Sequence, residues 1–209
     1  IKPDINDSSA RFEVIYKDEH PIGINFGLSA IKNIGENSVI EIVKEREENG
    51  KFTSLQNLLK RLNNSTLNKK IIEALIFSES LKSIEDNQNF LIQKMDEIIS
   101  FNVNFHKNFI QNQNSLFKED LDANFFDSSN FTNIEFSKKL EMEYDAFGFY
   151  LTEHPTKLYK TLFRDKKISN LSQLFDTSLD NSSNMTKSVI ALISEKKERT
   201  SKLGKKFCF

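Results

Sequence analysis

A short stretch around Gly35 carries residue types that bind phosphate. Asn33 and Gly35 flank the apolar Ile34, and both tolerate the positive φ that a tight turn can require. Residues 36–38 then open a helix, whose first backbone N–H groups lack helical partners and can hydrogen-bond phosphate oxygens. If the phosphate belongs to a nucleic acid, such contacts carry no information about its bases, so the predicted site would bind independently of nucleotide sequence. The residues assigned to it are Lys32, Asn33, Ile34, Gly35, Glu36, Asn37 and Ser38.

Helices on both sides must position this turn. Leu28 and Ile31 are spaced for one face of a short helix, and a second set of apolar residues, Val39, Ile40 and Val43, is spaced for the next helix. Two short helices joined through a glycine turn form a helix-hairpin-helix, which favours phosphate binding. An ordinary helix C-cap followed by another helix explains the same pattern equally well.

Two further helices follow. Apolar spacing predicts a third helix over residues 52–62 and a fourth over residues 67–76, with a polar break at 63–66. This pair is similar to a second hairpin that lacks the central glycine. Four basic residues lie at its helix ends with no acidic residue between them, and they predict phosphate contacts, although solvated helix ends would look the same. They are Lys60, Arg61, Lys69 and Lys70.

Downstream, Asp86 and Asn87 are suited to cap a long helix that runs to about Gln111. The inward residues of this helix are predicted to be Phe90, Leu91, Met95, Ile98, Ile99, Phe105 and Phe109. Helical spacing recurs at Leu140, Tyr144, Phe147 and Leu151, before Pro155 prevents smooth continuation. A short helix over Thr156–Phe163 and a strand over Ser188–Ser194, with residues 205–209 as its hairpin partner, complete the pattern.

Between these helices, residues 111–135 lose periodicity and predict a long loop. Leu116 and Phe117 are adjacent apolar residues in this polar loop, which is costly unless a pocket covers them. The Gln113 amide could donate and accept at the rim of such a pocket. The candidate binding peptide comprises Gln113, Ser115, Leu116 and Phe117. Packing of the Leu–Phe pair onto the local core is the alternative.

Three of these segments resemble, in the same order, the alpha subunit of bacterial DNA polymerase III, a replicative polymerase. Residues 26–37 are similar to its first hairpin after the fingers, and residues 113–117 to the peptide that it inserts into the sliding clamp. Residues 140–155 resemble its Glu-x-Glu-x-Leu-Gly-Phe-Tyr-Leu-x-x-His-Pro signature, with Phe147 where leucine is usual. The resemblance covers residues 4–209.

The resemblance implies a mainly α fold: a tandem helix-hairpin-helix bundle with further helices, ending in the first strands of a truncated oligonucleotide-binding (OB) β-barrel. The implied segments are the end of the fingers (1–25), the tandem hairpins (26–84), the long helix, clamp loop and following helices (85–165), and a linker with the OB start (166–209). The OB start would hold single-stranded template through Lys196, Lys197, Arg199, Lys202, Lys205 and Lys206, in a region with seven basic residues against two acidic ones.

The implied function is to hold duplex DNA behind the active site and to bind the sliding clamp, the beta subunit, which raises the local concentration of polymerase at the primer end. The longer parent chain would be a DNA-directed DNA polymerase, a Mg²⁺-dependent nucleotidyltransferase of the bacterial cytoplasm, with other replisome subunits bound through further regions. Polymerase chemistry requires clustered carboxylates for two Mg²⁺ ions. This sequence has no such cluster, so it is expected to carry no catalytic residue, metal or cofactor of its own.

The amino-acid composition narrows the remaining classes of function. Lys and Arg total 29 against 30 Asp and Glu, so only local charge argues for nucleic acid. One cysteine excludes an internal disulfide, and no apolar run is long enough for a membrane span. His106 has no ligand-spaced partner, and the pair Glu153 and His154 has no nucleophile beside it. A DNA-repair nuclease or ligase module is the enzyme alternative, and a protein-binding scaffold is the third.

Overall fold

The computed structural model describes residues 1–110, 126–159, 161 and 188–209. The chain divides into two compact units, Ile1–Thr152 and Glu153–Phe209. Helices dominate the described residues, which confirms the predicted mainly α fold class. The finer boundaries after residues 25, 84 and 165 stay predictions. None of the described helices is both long and apolar enough to cross a membrane.

The first unit opens with an antiparallel β-hairpin. Strand β1 (Glu13–Lys17) pairs with β2 (His20–Asn25), with Val14 opposite Ile24. The hairpin leads into a single 3-10 turn, Leu28–Ala30, where a short α-helix is predicted. The first arm of the predicted hairpin motif is therefore shorter than its apolar spacing indicates.

Three helices follow. They are α1 (Glu36–Asn49), α2 (Leu55–Arg61) and α3 (Lys69–Phe77). Helices α2 and α3 confirm the two helices predicted over residues 52–62 and 67–76. Buried Val39 and Ile42 form the inner face of α1, whereas Ile40 is 48% exposed. Spacing groups Ile40 with Val39 and Val43 on one face, but Ile40 lies on the outer side of the helix. Val39 and Ile40 are adjacent and point in different directions, and spacing alone does not show which of them faces the core.

The helix predicted from residue 88 to about 111 is two helices, α4 (Gln88–Gln93) and α5 (Met95–Ile110). Lys94 separates them with φ −97° and ψ 10°, at a position that no glycine or proline marks. Helix α6 (Phe136–Phe147) ends at Gly148, which adopts φ +83°. Because the helix ends there, Leu151 lies beyond it, contrary to the helical spacing.

The helices of the first unit share one apolar core. Phe52, Leu58 and Leu59 bring α2 and its approach into it, and Leu75 and Phe90 bring in α3 and α4. Each of these side chains is at most 2% exposed. This core fixes the spatial relation between the turn at residues 33–35 and the helices around it.

The second unit contains the 3-10 helix Pro155–Tyr159 and an antiparallel pair, β3 (Glu198–Thr200) and β4 (Lys206–Cys208). Residues 188–194 form no strand, so that prediction is wrong. Strand β4 lies within the strand predicted over 205–209, but its partner β3 lies in the basic run that was expected to join the two predicted strands. The 3-10 helix coincides with the first part of the helix predicted over 156–163, and most of the remainder of that prediction lies outside the described residues. Both strands are exposed on all residues. The OB barrel stays a prediction.

Candidate nucleic-acid interface

The turn at residues 33–35 has the form expected of a tight hairpin turn. Asn33 adopts φ +69°, the left-handed region that asparagine tolerates better than most residues. Ile34 is only 6% exposed and anchors the turn in the core. Gly35 instead adopts φ −76° and ψ 147°, so its freedom to take positive φ is not used. The turn therefore presents Asn33 and Gly35 to solvent around a buried anchor.

Helix α1 begins at this turn without a side-chain cap. Its N-cap is Gly35, and no side chain accepts from the first amides. By contrast, Ser54 caps α2 by accepting from the Asn57 amide at 3.1 Å, and Asn68 caps α3 in the same way. The first amides of α1 can therefore hydrogen-bond an external anion, which the helix dipole also favours.

The space above Gly35 is open. A Cβ placed on Gly35 would have no described atom within 4 Å beyond Gly35 itself and its two chain neighbours. Packing within the described chain therefore does not require glycine at this position, and a ligand backbone has room to approach. One nearby charge opposes an anion: Glu36 lies in the first turn of α1, 3.8 Å from the Arg11 guanidinium, with both side chains exposed.

Gly27 has the opposite role. A Cβ on Gly27 would come within 2.5 Å of the Arg11 carbonyl carbon and 2.6 Å of the Ala10 carbonyl oxygen. The amide of Leu28 donates to the Ser9 carbonyl at 2.9 Å across the same crossing. Gly27 is therefore required by close backbone packing, a role that its sequence context did not reveal.

The turn is also tied to α6. The Lys32 amide donates to the Ala146 carbonyl at 2.9 Å. The Lys32 ammonium lies 5.8 Å from the centre of the Tyr144 ring, and the lysine side chain is exposed. This places a cation beside the turn.

At the second hairpin, Lys69 and Lys70 occupy the first turn of α3 and are exposed. The Lys69 ammonium is 3.0 Å from an Asp96 carboxylate oxygen, in a pair that is largely exposed on both sides. Lysine at a helix N-terminus opposes the dipole and is unfavourable for stability. The same placement attracts phosphate.

Arg61, in contrast, serves the fold. All five of its N–H groups donate to protein acceptors: the Glu45 carboxylate, the Asn57 side-chain oxygen, and the carbonyls of Glu45, Gly50 and Lys51. Its guanidinium also lies 4.4 Å from the centre of the Phe52 ring. With no donor left for phosphate, Arg61 leaves the candidate set. Lys60 stays in it, with its ammonium 6.0 Å from the Phe105 ring.

Two of the three histidines, His106 and His154, have structural partners. His106 Nε2 lies 3.0 Å from the Leu59 carbonyl and 3.1 Å from that of Leu62, so it donates to the C-terminal end of α2. His154 Nδ1 lies 2.8 Å from the Thr156 hydroxyl. Among the described residues, no group of three or more His, Cys, Asp or Glu side chains is placed to hold a metal ion.

The predicted peptide site and the predicted single-strand site are not tested by the structure. The peptide residues Gln113, Ser115, Leu116 and Phe117 lie outside the described residues. The basic residues of the second unit lie along the exposed β3–β4 hairpin and its approach, where Lys196 pairs with Glu198 at 2.5 Å and Lys197 with Glu195 at 3.2 Å. The others of this set are Arg199, Lys202, Lys205 and Lys206.

A partly buried ion cluster at Glu143 of α6 escaped sequence reasoning. The Lys2 ammonium lies 2.8 Å from Glu143 and 2.7 Å from Glu79. Burial alone would raise the pKa of the Glu143 carboxyl, but hydrogen bonds from Lys2 and Thr152 outweigh it and lower that pKa. Glu143 also accepts from the Leu151 and Thr152 amides at 2.5 and 2.8 Å. The cluster holds the segment after α6 in place.

Comparison with known proteins agrees with this geometry. Residues 1–91 match the family model described as a helix-hairpin-helix motif. The DNA polymerase III alpha subunit of Borreliella burgdorferi is 34% identical over 178 residues, which is 83% of this chain. That of Buchnera aphidicola from Acyrthosiphon pisum is 37% identical over 77% of this chain, and that of Thermus aquaticus 30% over 78%.

Over about four fifths of its length, the chain is similar to part of the DNA polymerase III alpha subunit. The relatives agree with the resemblance in the sequence and favour it over a repair nuclease or ligase. The chain spans only 15%, 14% and 12% of the length of these three relatives.

Proposed function

We propose that this chain is the helix-hairpin-helix and clamp-binding part of a DNA polymerase III alpha subunit, and that it holds duplex DNA by its backbone. The observation that carries the proposal is the start of α1, which lacks a side-chain cap and has open space above Gly35. A DNA phosphate at this position would accept from the amides of residues 36–38. The contact would be independent of sequence.

The second hairpin would add phosphate contacts through Lys60, Lys69 and Lys70. The exposed basic residues between 196 and 206 would contact single-stranded template. The parent polymerase would supply the nucleotidyl transfer with Mg²⁺ held by its own carboxylates. This division of roles leaves the present chain to bind rather than to catalyse.

A test at Gly35 separates binding from folding. Gly35→Ser introduces a hydroxyl that caps α1 and competes with phosphate for the same amides, and serine is a better N-cap than glycine by a few tenths of a kcal/mol. We expect the melting temperature of the 209-residue chain to hold or rise, while its affinity for a labelled duplex falls roughly three- to tenfold.

The matched control is Ser54→Gly, which removes the cap of α2. It is expected to lower stability by a few tenths of a kcal/mol and to leave duplex affinity unchanged. Wild-type affinity in Gly35→Ser would refute the phosphate site. Duplex binding that does not change with salt would refute backbone recognition altogether.

The clamp contact is tested by Leu116→Ala/Phe117→Ala. An apolar anchor pair that fills a partner pocket dominates such interfaces, so binding to the sliding clamp should fall at least tenfold. Asn114→Ala, at the spacer position of the same peptide, should have little effect. Clamp affinity that survives the double change would exclude this peptide as the binding element.

A further inference from the structure

Two tyrosines pack together beside the phosphate turn. The rings of Tyr144, on α6, and Tyr150 are 5.1 Å apart, with 33° between their planes. Tyr144 is 45% exposed, and Tyr150 is half-buried. An aromatic pair of this kind presents ring surface to solvent while the partner ring restricts its rotation. Helical spacing predicted Tyr144 to be packed, so its exposure is a finding of the structure.

Lys32 joins this pair to the turn. Its backbone amide donates to the Ala146 carbonyl at 2.9 Å, which fixes the turn against α6. Its ammonium lies 5.8 Å from the Tyr144 ring centre and would be 3.1 Å from a Cβ on Gly148. The absence of a side chain at Gly148 therefore leaves room for Lys32 next to the ring, one residue before Asn33.

We infer that Lys32, Tyr144 and Tyr150 form a nucleotide platform on which an unpaired base stacks next to the phosphate bound at the turn. The inference rests on the proposed function and extends it from duplex DNA to DNA that has an unpaired strand beside the duplex. Aromatic faces stack on any base, without sequence preference, and only unpaired bases expose their faces. Lys32 supplies the cation for the adjoining phosphate.

The charges around the pair fit stacking better than ionic attraction. Burial raises the pKa of the Tyr150 phenol, and Tyr144, Glu141 and Asp145 raise it further, so the ring stays neutral at pH 7. Glu141 is paired with Lys138 at 3.1 Å, whereas Asp145 opposes the charge of Lys32. The contribution of the rings to binding should therefore depend little on salt.

The chain provides its own probe. It contains four tyrosines and no tryptophan, so its emission comes from tyrosine alone, and loss of the quenching in Tyr144→Ala assigns it to this pair. The experiment titrates the 209-residue chain with a duplex that has a single-stranded overhang and with the blunt duplex. We expect the overhang to quench tyrosine emission and the blunt duplex to quench it much less.

Variants identify the contributing groups. Tyr144→Ala should weaken overhang binding roughly 5- to 100-fold, with an unchanged dependence on salt and little effect on the blunt duplex, and Tyr144→Phe should retain binding. Lys32→Ala should reduce the slope of log affinity against log salt by about 0.9. Tyr16→Ala is the matched control, because Tyr16 is a 63% exposed tyrosine on β1.

The outcomes separate the two proposals. If Gly35→Ser weakens duplex binding while Tyr144→Ala changes neither overhang affinity nor quenching, the platform is overturned and the phosphate site stands. If the wild-type chain binds neither DNA, both are overturned. Equal losses in Tyr144→Ala and Tyr16→Ala would also overturn the platform, because they would assign the effect to exposed tyrosine in general.

Discussion

Arg61, the last residue of α2, is hydrogen-bonded to Glu45, near the C-terminal end of α1. Arg61 Nε donates to the Glu45 carboxylate at 2.9 Å, and its terminal nitrogen donates to the Glu45 backbone carbonyl at 2.9 Å. Arg61 thus bonds both the side chain and the backbone carbonyl of a residue near the C-terminus of α1. A residue that looks like a phosphate ligand in the sequence is therefore a support for the interface.

Arg61 and its neighbour Lys60 should separate stability from binding. Arg61→Ala is expected to lower the free energy of unfolding by about 2–3 kcal/mol, because a partly buried carboxylate loses its charged partner and several carbonyls lose a side-chain donor. Lys60→Ala should cost less than about 0.5 kcal/mol but reduce the salt dependence of duplex binding. Urea unfolding and salt titrations measure the two quantities. A reduced salt slope in a folded Arg61→Lys variant would contradict the structural assignment.

The two glycines around the turn should respond differently to alanine. Gly27→Ala forces a Cβ to 2.5 Å from backbone, and the required shift should cost about 1–3 kcal/mol. Gly35→Ala meets no atom within 4 Å and keeps an allowed φ, so its cost should stay below about 0.5 kcal/mol, with the weaker N-cap offset by a stiffer unfolded chain. Thermal unfolding of the two variants checks the contrast, and equal destabilisation would contradict it.

The ion cluster around Glu143 predicts the pH range of stability. The carboxyl pKa of Glu143 is lowered from its ordinary 4.5, so its stabilising contribution is present above pH 4.5 and is lost as pH falls through the folded value. The pKa of Lys2 is raised from 10.5 because the carboxylates of Glu143 and Glu79 outweigh the opposing effect of burial. Its contribution is present below pH 10.5 and is lost as pH rises further.

Glu143→Gln tests this window. The amide keeps the shape of the side chain but loses the charge, and we expect a loss of about 2 kcal/mol at pH 7. The acid limb of the stability profile should also become flatter than in the wild type. Urea midpoints measured from pH 3 to 8 give both quantities. A parallel profile, shifted but with the same acid slope, would remove Glu143 as the titrating group.

Local sequence patterns predict helices better than they predict which strands pair with each other. Helix α2 follows from apolar spacing at Leu55, Leu58 and Leu59, and helix α3 from Ile71, Ile72 and Leu75, and all six are buried. The strand predicted over residues 188–194 fails because β-propensity does not supply a strand with a partner, and the described residues offer it none.

In the candidate site too, local features follow from the sequence, whereas contacts between distant residues do not. The uncapped start of α1 follows from Gly35 and its neighbours, since a cap is a local property. The role of Arg61 does not, because its acceptors Glu45 and Gly50 come from another helix end, 16 and 11 residues earlier. The exposure of Tyr144 depends on where α6 ends, which a left-handed Gly148 sets.

Replacing Asn102 on α5 with aspartate should lower the stability of the fold. It is fully buried, and its amide donates to the carbonyls of Leu59 and Leu62, both at 2.7 Å. Asn102→Ala should cost about 1–2 kcal/mol, because both carbonyls lose this donor and keep only the shared His106 Nε2. Asn102→Asp should cost more, because a carboxylate accepts but does not donate and would face two carbonyl oxygens. Urea unfolding ranks the variants, and an aspartate variant that is as stable as wild type would contradict the burial.

Charge reversal at the start of α3 should act in opposite directions on stability and on binding. Lys69→Glu/Lys70→Glu removes the exposed Lys69–Asp96 pair, which contributes little, and places two acids at the positive end of the helix dipole, favourable by about 0.3–1 kcal/mol each. Stability should therefore hold or rise. If both lysines contact phosphates, duplex affinity should fall and the salt slope should decrease by about 1.8.

The control is Lys17→Glu/Lys82→Glu, which makes the same change in net charge at exposed positions elsewhere in the unit. It should leave the slope nearly unchanged. Equal slopes in the two double variants would mean that net charge, rather than this helix end, governs the affinity.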